Sequence, residues 1–284
     1  MTGPAAVRRL PPAPPVPVYA SSWGRPVLAG LWLATVLVAA GFGLSGASIS
    51  VLWPLGALGA LLAWVGAGVR FAEIGVFARP LLCVAGTPGR LALTFDDGPH
   101  PVHTPRILEL LADAGHQATF FVIGERAARY PELVRDMARR GHLVANHSLR
   151  HQPWTPALPA AMLAREWAAA NRQIAELTGR FPRWMRAPVG LVSPPVAVAA
   201  QRCGLQLVHW SATARDGVAW ADRERCWQRL RPGLSAGAIV VLHDGVGGET
   251  CAAVDLLPAV LGELKARGLH SVTLDALLGP PVPQ

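Results

Sequence analysis

Charge is what this chain has least of. Only 15% of its 284 residues are charged, 51% are hydrophobic, and the mean hydropathy is +0.32. An ordinary soluble domain carries about 25% charged residues, so a purely soluble chain is not expected. Cysteine is scarce as well. Cys83, Cys203, Cys226 and Cys251 show no paired spacing and have no neighbouring histidines. That argues against a disulfide framework and against a cysteine-based metal site. The formal net charge is +8, yet the arginines are scattered and no basic patch is interleaved with aromatics. Nucleic acid is therefore not an expected partner, and the positive balance favours an anionic membrane surface. No internal repeat stands out.

The longest absence lies near the N-terminus. From Pro26 to Val69, 44 residues, there is no charged side chain. This is long enough for two membrane spans of about 20 residues each. A break at Ser45-Gly-Ala-Ser48 gives spans near Val27–Leu44 and Ser50–Gly68, with Trp23, Trp53 and Trp64 near the interfaces. A cleavable signal peptide is the rival, since Val38-Ala-Ala40 suits a peptidase; the second apolar stretch argues against release. The expected organisation is a Pro-rich tail (1–26), a two-span hairpin (27–69), a juxtamembrane connector (70–90) lying along the membrane, and a catalytic domain (91–279). Arg8, Arg9 and Arg25 precede the first span, Arg70, Arg79 and Arg90 follow the second, and the loop between has none. The positive-inside rule then places both flanks in the cytoplasm of a bacterial-type inner membrane. A single true span would instead put the domain outside.

What is present begins at Leu91. Strand-like runs at Leu91–Phe95, Ala118–Ile123, His142–Asn146, Trp184–Arg186, Leu205–Trp210, Ala238–His243 and Ser271–Leu274 alternate with helical patterns. The helices are expected at Pro105–Ala114, Pro131–Arg140, Leu158–Thr178, Pro194–Cys203, Asp222–Leu230 and Thr250–Arg267. Seven strand-then-helix units predict an α/β fold with a parallel sheet curled into a barrel. About 190 residues is short of the ~250 of an eight-fold barrel, so an incomplete (β/α)7 TIM-like barrel is expected.

Chemistry gathers at the strand ends, where such folds bind ligands. The first strand runs into Asp96 and Asp97, and Gly98-Pro99 turns the chain away. Adjacent carboxylates need a cation or an arginine nearby. After the third strand comes Asn146-His-Ser-Leu-Arg-His151, whose i, i+4 spacing places His147 and His151 on one face of a helical turn. With Asp97 they make a two-histidine, one-carboxylate metal site with open positions. Arg186 follows the fourth strand and is placed to orient a carboxylate, Asp216 follows the fifth, and His243 closes the sixth as a candidate proton donor.

Taken in order, these residues resemble the polysaccharide deacetylase (NodB-homology, carbohydrate esterase family four) proteins. Thr94-Phe-Asp-Asp-Gly-Pro99 is similar to the first family motif, His147-Ser-Leu-Arg-His151 to the second and Arg186-Ala-Pro-Val-Gly190 to the third. Asp216 falls where the fourth keeps an aspartate, and Val241-Leu-His243 resembles the fifth. The resemblance covers about Leu91 to Leu277. It implies a divalent metal, usually zinc, on Asp97, His147 and His151, polarising an amide carbonyl and activating water. It further implies Asp96 as general base oriented by Arg186, and a Val189 backbone N–H facing the oxyanion. His243, supported by Asp216, would protonate the departing amine.

The departures concern substrate contacts. Val189 stands where an aromatic is common, Thr213 where an earlier aspartate is usual and Gly217 where a tryptophan follows. This argues against chitin or bulk peptidoglycan. The reading is a membrane-tethered, metal-dependent hydrolase. It removes an N-acyl group (acetyl or formyl) from an amino sugar of a polysaccharide, glycolipid or lipid-linked sugar. The alternatives are an O-acetyl esterase acting on a glycan and a non-catalytic carbohydrate-binding relative.

Overall fold

The computed structural model describes residues 52–218, 221–246 and 250–278. The first expected span and the loop after it lie outside these residues. The second coincides with helix α1 (Leu52–Arg70). Among the described residues, no helix is long and apolar enough to cross a membrane.

The barrel is parallel throughout and open. Strands β1 (Arg90–Gly98), β2 (Ala118–Val122), β3 (Leu143–Asn146), β4 (Trp184–Met185), β5 (Gln206–Leu207), β6 (Ala212–Thr213) and β7 (Ile239–His243) lie in the order β5-β4-β3-β2-β1-β7-β6. A short β8 (His270–Ser271) pairs with the start of β1. No ladder joins β5 to β6, so the barrel is incomplete, as expected. Strand β6 is not expected: the sequence suggests one strand at Leu205–Trp210, where the chain forms only the short β5, and β6 follows it at Ala212–Thr213 on the other side of the opening. The connector packs onto the sheet. Leu81 is buried, donates its N–H to Leu207 O and accepts from His209 N–H, while Val84 donates to Gly237 O. Apolar Leu81 and Cys83 thereby bridge the two sides of the gap, leaving fewer strand edges unpaired.

The helices are α2 (His103–Asp113), α3 (Gly124–Arg129), α4 (Pro131–Arg139), α5 (Ala160–Thr178), α6 (Pro194–Arg202), α7 (Arg223–Leu230), α8 (Ala252–Ala266) and α9 (Leu274–Leu278). Proline at the first turn starts α4 and α6, where its missing N–H costs nothing. The side chains of Ser193 and Asp222 cap α6 and α7. Helices α3 and α9 are too short to leave a periodic signal and were not expected.

Alternation along β1 sorts the core. Leu91, Leu93 and Phe95 face outward into the layer formed with α2 and α8, beside Ile107, Leu108, Val260 and Leu264. Ala92 faces the lumen with Phe121, Ala145, Trp184, Val208 and Ile239, and Leu274 and Leu277 of α9 close that end. The Trp184 indole donates to Asp275 at 2.8 Å, fixing the plug. With one end of the lumen plugged, polar groups can collect only at the other.

Candidate active site

At the open end, β1 carries two successive carboxylates that both serve the same space. Strand side chains normally alternate faces. Here the register slips between Asp96 and Gly98, and Asp97 adopts φ +70°, a bulge that turns its carboxylate back beside that of Asp96. Aspartate tolerates this left-handed conformation better than most residues.

The two histidines arrive by a route the sequence did not suggest. Residues 147–151 are not helical; the expected helical turn is replaced by a loop with Ser148 and His151 at φ +69° and +53°. Buried Asn146 organises it. Its carbonyl oxygen accepts from Ser148 N–H at 2.7 Å and its amide donates to Asn171 at 2.6 Å and to Trp167 O at 3.1 Å. The Ser148 hydroxyl then accepts from His151 N–H at 2.8 Å.

His147 Nε2 and His151 Nε2 each lie 3.2 Å from Asp97 Oδ1. Among the described residues these three form the one cluster with metal-ligand spacing, all ligand atoms being within 4.8 Å of one another. The donor set itself calls for a cation. His147 Nδ1 lies 2.8 Å from Arg186 O, and a carbonyl only accepts, so Nδ1 carries hydrogen and Nε2 is the nitrogen turned toward Asp97, its lone pair free whenever the ring is neutral. Buried Asp97 Oδ1 has no hydrogen-bond partner in the protein. Two lone pairs facing each other fit a metal ion between them. Burial opposes the charge on Asp97, yet His147, His151 and His243 together hold its carboxyl well below the usual carboxylate range.

Arg186 is fully buried in the lumen above Phe121, its guanidinium carbon 4.3 Å from the ring centroid. Nη1 donates to Asp96 Oδ1 and to Thr94 Oγ1, both at 2.7 Å, and Nη2 donates to His209 O at 2.8 Å. Asp96 is thus fixed in orientation, 4.0 Å from His147 Nε2 through its other oxygen. Across the ladder, Asp96 pairs with His243. Asp216 grips His243 twice, accepting from its backbone N–H at 2.8 Å and from Nδ1 at 3.0 Å. Burial works against the imidazolium, but Asp216, Asp96 and Asp97 raise its pKa to about 9. The unbonded Nε2 is reached past Gly217, where an added Cβ would lie only 3.0 Å from it. Beside the pair is a cleft lined by Asp216, Val218, Arg223, Val246, Thr250 and Asp255. Val189 is placed at the mouth with φ +58° and its side chain exposed.

All eight residues named from the sequence therefore stand at one end of the barrel: seven close together and Val189 on the rim. Two further groups were missed. Arg126 Nη1 of α3 donates to Asp97 O at 2.7 Å and to Gly245 O at 2.6 Å, tying the end of β1 to the loop after β7. An arginine in the middle of a short helix gives no signal in sequence. Asp244 is fully buried, accepts from Thr104 Oγ1 at 2.5 Å and donates its N–H to Asp96 O at 3.1 Å. Burial pushes its carboxyl up to about 7. Its place directly after His243 was the available clue.

Comparison with known proteins agrees with this geometry. Residues 84–208 match the polysaccharide deacetylase family. The chain is 40% identical over 164 residues to a chitooligosaccharide deacetylase of Bradyrhizobium sp. (strain ANU 289), covering 57% of this chain and 73% of the relative. It is 34% identical over 196 residues to a peptidoglycan-N-acetylglucosamine deacetylase of Bacillus cereus, covering 66% and 87%. Among solved structures, a family 4 acetyl xylan esterase from Clostridium thermocellum in complex with a cobalt ion superposes with a TM-score of 0.61. It is 31% identical, and the match covers 66% of this chain and 89% of that one.

Proposed function

This chain belongs to the polysaccharide deacetylase family, a hydrolase type acting on carbon–nitrogen amide bonds, and from that premise we propose that it is a metal-dependent N-deacetylase of amino-sugar glycans. The observation that carries the reading is the Asp97–His147–His151 cluster, set beside an arginine-fixed Asp96 and a carboxylate-gripped His243.

Asp97, His147 and His151 would hold a divalent cation, with zinc our choice for a two-histidine, one-carboxylate set, and it would supply Lewis acidity when bound. The remaining chemistry belongs to the chain. Asp96, oriented by its 2.7 Å contact with Arg186, takes the proton of the water as it attacks the acyl carbon. The Val189 backbone N–H faces the oxygen on which negative charge develops. His243 Nε2 then gives its proton to the sugar nitrogen as the C–N bond breaks, and Asp216 keeps that proton available. The products are a free amino sugar and a carboxylate. The acid matters because an amine is a poor leaving group unless protonated.

An O-acetyl esterase is the second reading, favoured by the likeness to the acetyl xylan esterase. Every residue named for metal, base and acid is present, which supports an enzyme over a purely binding relative. For the substrate we propose an N-acetyl or N-formyl amino sugar carried on a lipid, because exposed Val189 and open Gly217 offer no aromatic platform to a long polymer. We further propose that residues 27–69 anchor the chain in a membrane, with the catalytic domain on the cytoplasmic side. Acetate or formate release from N-acylated oligosaccharides, lipid-linked amino sugars and O-acetylated xylan tests the activity. Release from xylan alone would replace the first reading with the second. Alkaline phosphatase fused after Gln284 should be inactive; an active fusion would put the domain outside.

A further inference from the structure

The large apolar side chains left exposed are unevenly distributed. Leu61, Leu62 and Phe71 lie in or just after α1 and Val198 lies within α6, while Val102 (65% exposed), Trp154 (56%), Val189 (56%) and Val218 (40%) belong to the loops after β1, β3, β4 and β6, so these four rim the mouth around the candidate metal cluster. Met162, in the first turn of α5, lies at the same end. Among the described residues, the turns at the plugged end expose no large apolar side chain and present Asp113, Arg140, Arg180, Arg202 and Arg267 instead. An apolar ring around a polar centre is the pattern of an interaction site.

We infer that the mouth of the barrel is a membrane-contacting face that settles onto an anionic bilayer and takes its sugar from the lipid surface. Three observations select a bilayer. Three of the four rim residues are valines, which offer a sugar neither a ring face nor a hydrogen bond, while Trp154 is of a type enriched at membrane interfaces. Exposed Arg215 shares the rim and suits anionic headgroups, whereas Arg150 is paired with Glu125 at 2.8 Å. Third, helix α1 ends at this mouth: Val192, two residues beyond the third-motif turn, donates its N–H to Val69 O at 3.1 Å. Ala72, just after α1, is buried with Ala187 and Val192. The end of the charge-free stretch, at Val69, thus meets the domain on the side where its apolar rim lies. The inference rests on the membrane-anchor reading above and adds which face of the domain meets the lipid.

The test uses the full chain in phosphatidylglycerol-containing nanodiscs, with single nitroxide labels at Val102→Cys, Trp154→Cys and, at the plugged end, Arg140→Cys. Accessibility to oxygen and to a water-soluble nickel complex is read for each. The first two labels should favour oxygen and the third nickel, with the contrast lost in detergent. Water-exposed labels at all three sites, on a protein that resists carbonate extraction, would overturn the inference and leave the anchor standing. Extraction by carbonate would overturn both. Protection of Val102→Cys and Trp154→Cys by a soluble N-acetylated oligosaccharide but not by lipid would make the rim a glycan cleft. Spin–spin coupling between copies would make it a dimer face. Either result contradicts the proposal.

Discussion

At the mouth of the barrel five non-glycine residues, Asp97, Ser148, His151, Val189 and Arg215, hold φ between 53° and 70°. At the plugged end the same left-handed turns are made by glycine, as at Gly115 with φ +71°. A side chain in that region costs about 1–2 kcal/mol that glycine does not. The plugged end takes the low-strain solution and fills its lumen with Trp184, Ile239 and Leu274. The mouth carries strain, a buried Arg186–Asp96 ion pair and orphaned polar atoms such as Asp97 Oδ1. Two of the strained residues are proposed metal ligands and one, Val189, is proposed to face the oxyanion. Stability is built at one end and chemistry at the other, and strain marks the difference.

Substitutions at the two ends should separate these roles. The largest effect is expected at the base: Asp96→Asn should lower kcat by about 10²–10⁴-fold while the purified protein keeps its metal. Turnover near wild type would reduce Asp96 to a loop-shaping residue. Next comes the buried pair. Arg186→Ala leaves Asp96 uncompensated and should destabilise folding by about 3–5 kcal/mol, read by urea denaturation, with activity lost as well.

Arg126→Ala should weaken metal affinity by about 10–100-fold, the scale of second-layer effects on metal sites. A cobalt-substituted sample would show this as an altered visible spectrum, and Arg126→Lys should restore part of it. An unchanged spectrum would make Arg126 a surface tie only.

The pH dependence follows from His243. Its folded pKa, about 9, lies above the ordinary 6.5. As an acid it must be protonated, so the rate should fall as pH rises through about 9. The same sign holds for stability: the His243–Asp216 contribution is complete below about 6.5 and lost through about 9. Asp216→Asn should move the upper limb of the rate profile downward; an unmoved limb would assign it to another group. The smallest effect is expected at the plugged end. Gly115→Ala, with open space around the new methyl, should cost about 1–2 kcal/mol of stability and leave kcat/KM unchanged.

Much of this contrast was legible in sequence because it is written in residue types. Alternating apolar strands and helices give the parallel barrel, and polar residues closing apolar runs give Asp96, Asp97, Arg186 and His243. The missing parts are encoded in geometry. The bulge at Asp97 is a local register shift, and the loop carrying His147 and His151 depends on a backbone conformation that Asn146 sets through long-range bonds to Trp167 and Asn171. Strand β6 is two residues long and carries no period. The bridge made by Leu81 to Val84 is recognisable only once both sides of the gap exist in space. Arg126 acts through carbonyl groups, whose positions no side-chain pattern reveals.

The central claim is that the mouth is a metal-dependent N-deacetylase site built on Asp97, His147 and His151. Acetate release from an N-acetylated amino-sugar substrate, measured before and after chelation and after titrating back zinc, tests it most directly. The account predicts that activity disappears on chelation, returns at one metal per chain, and never returns in His147→Ala, which should bind no stoichiometric metal. Full acetate release by the chelated protein, or equal metal content in His147→Ala and wild type, would contradict it.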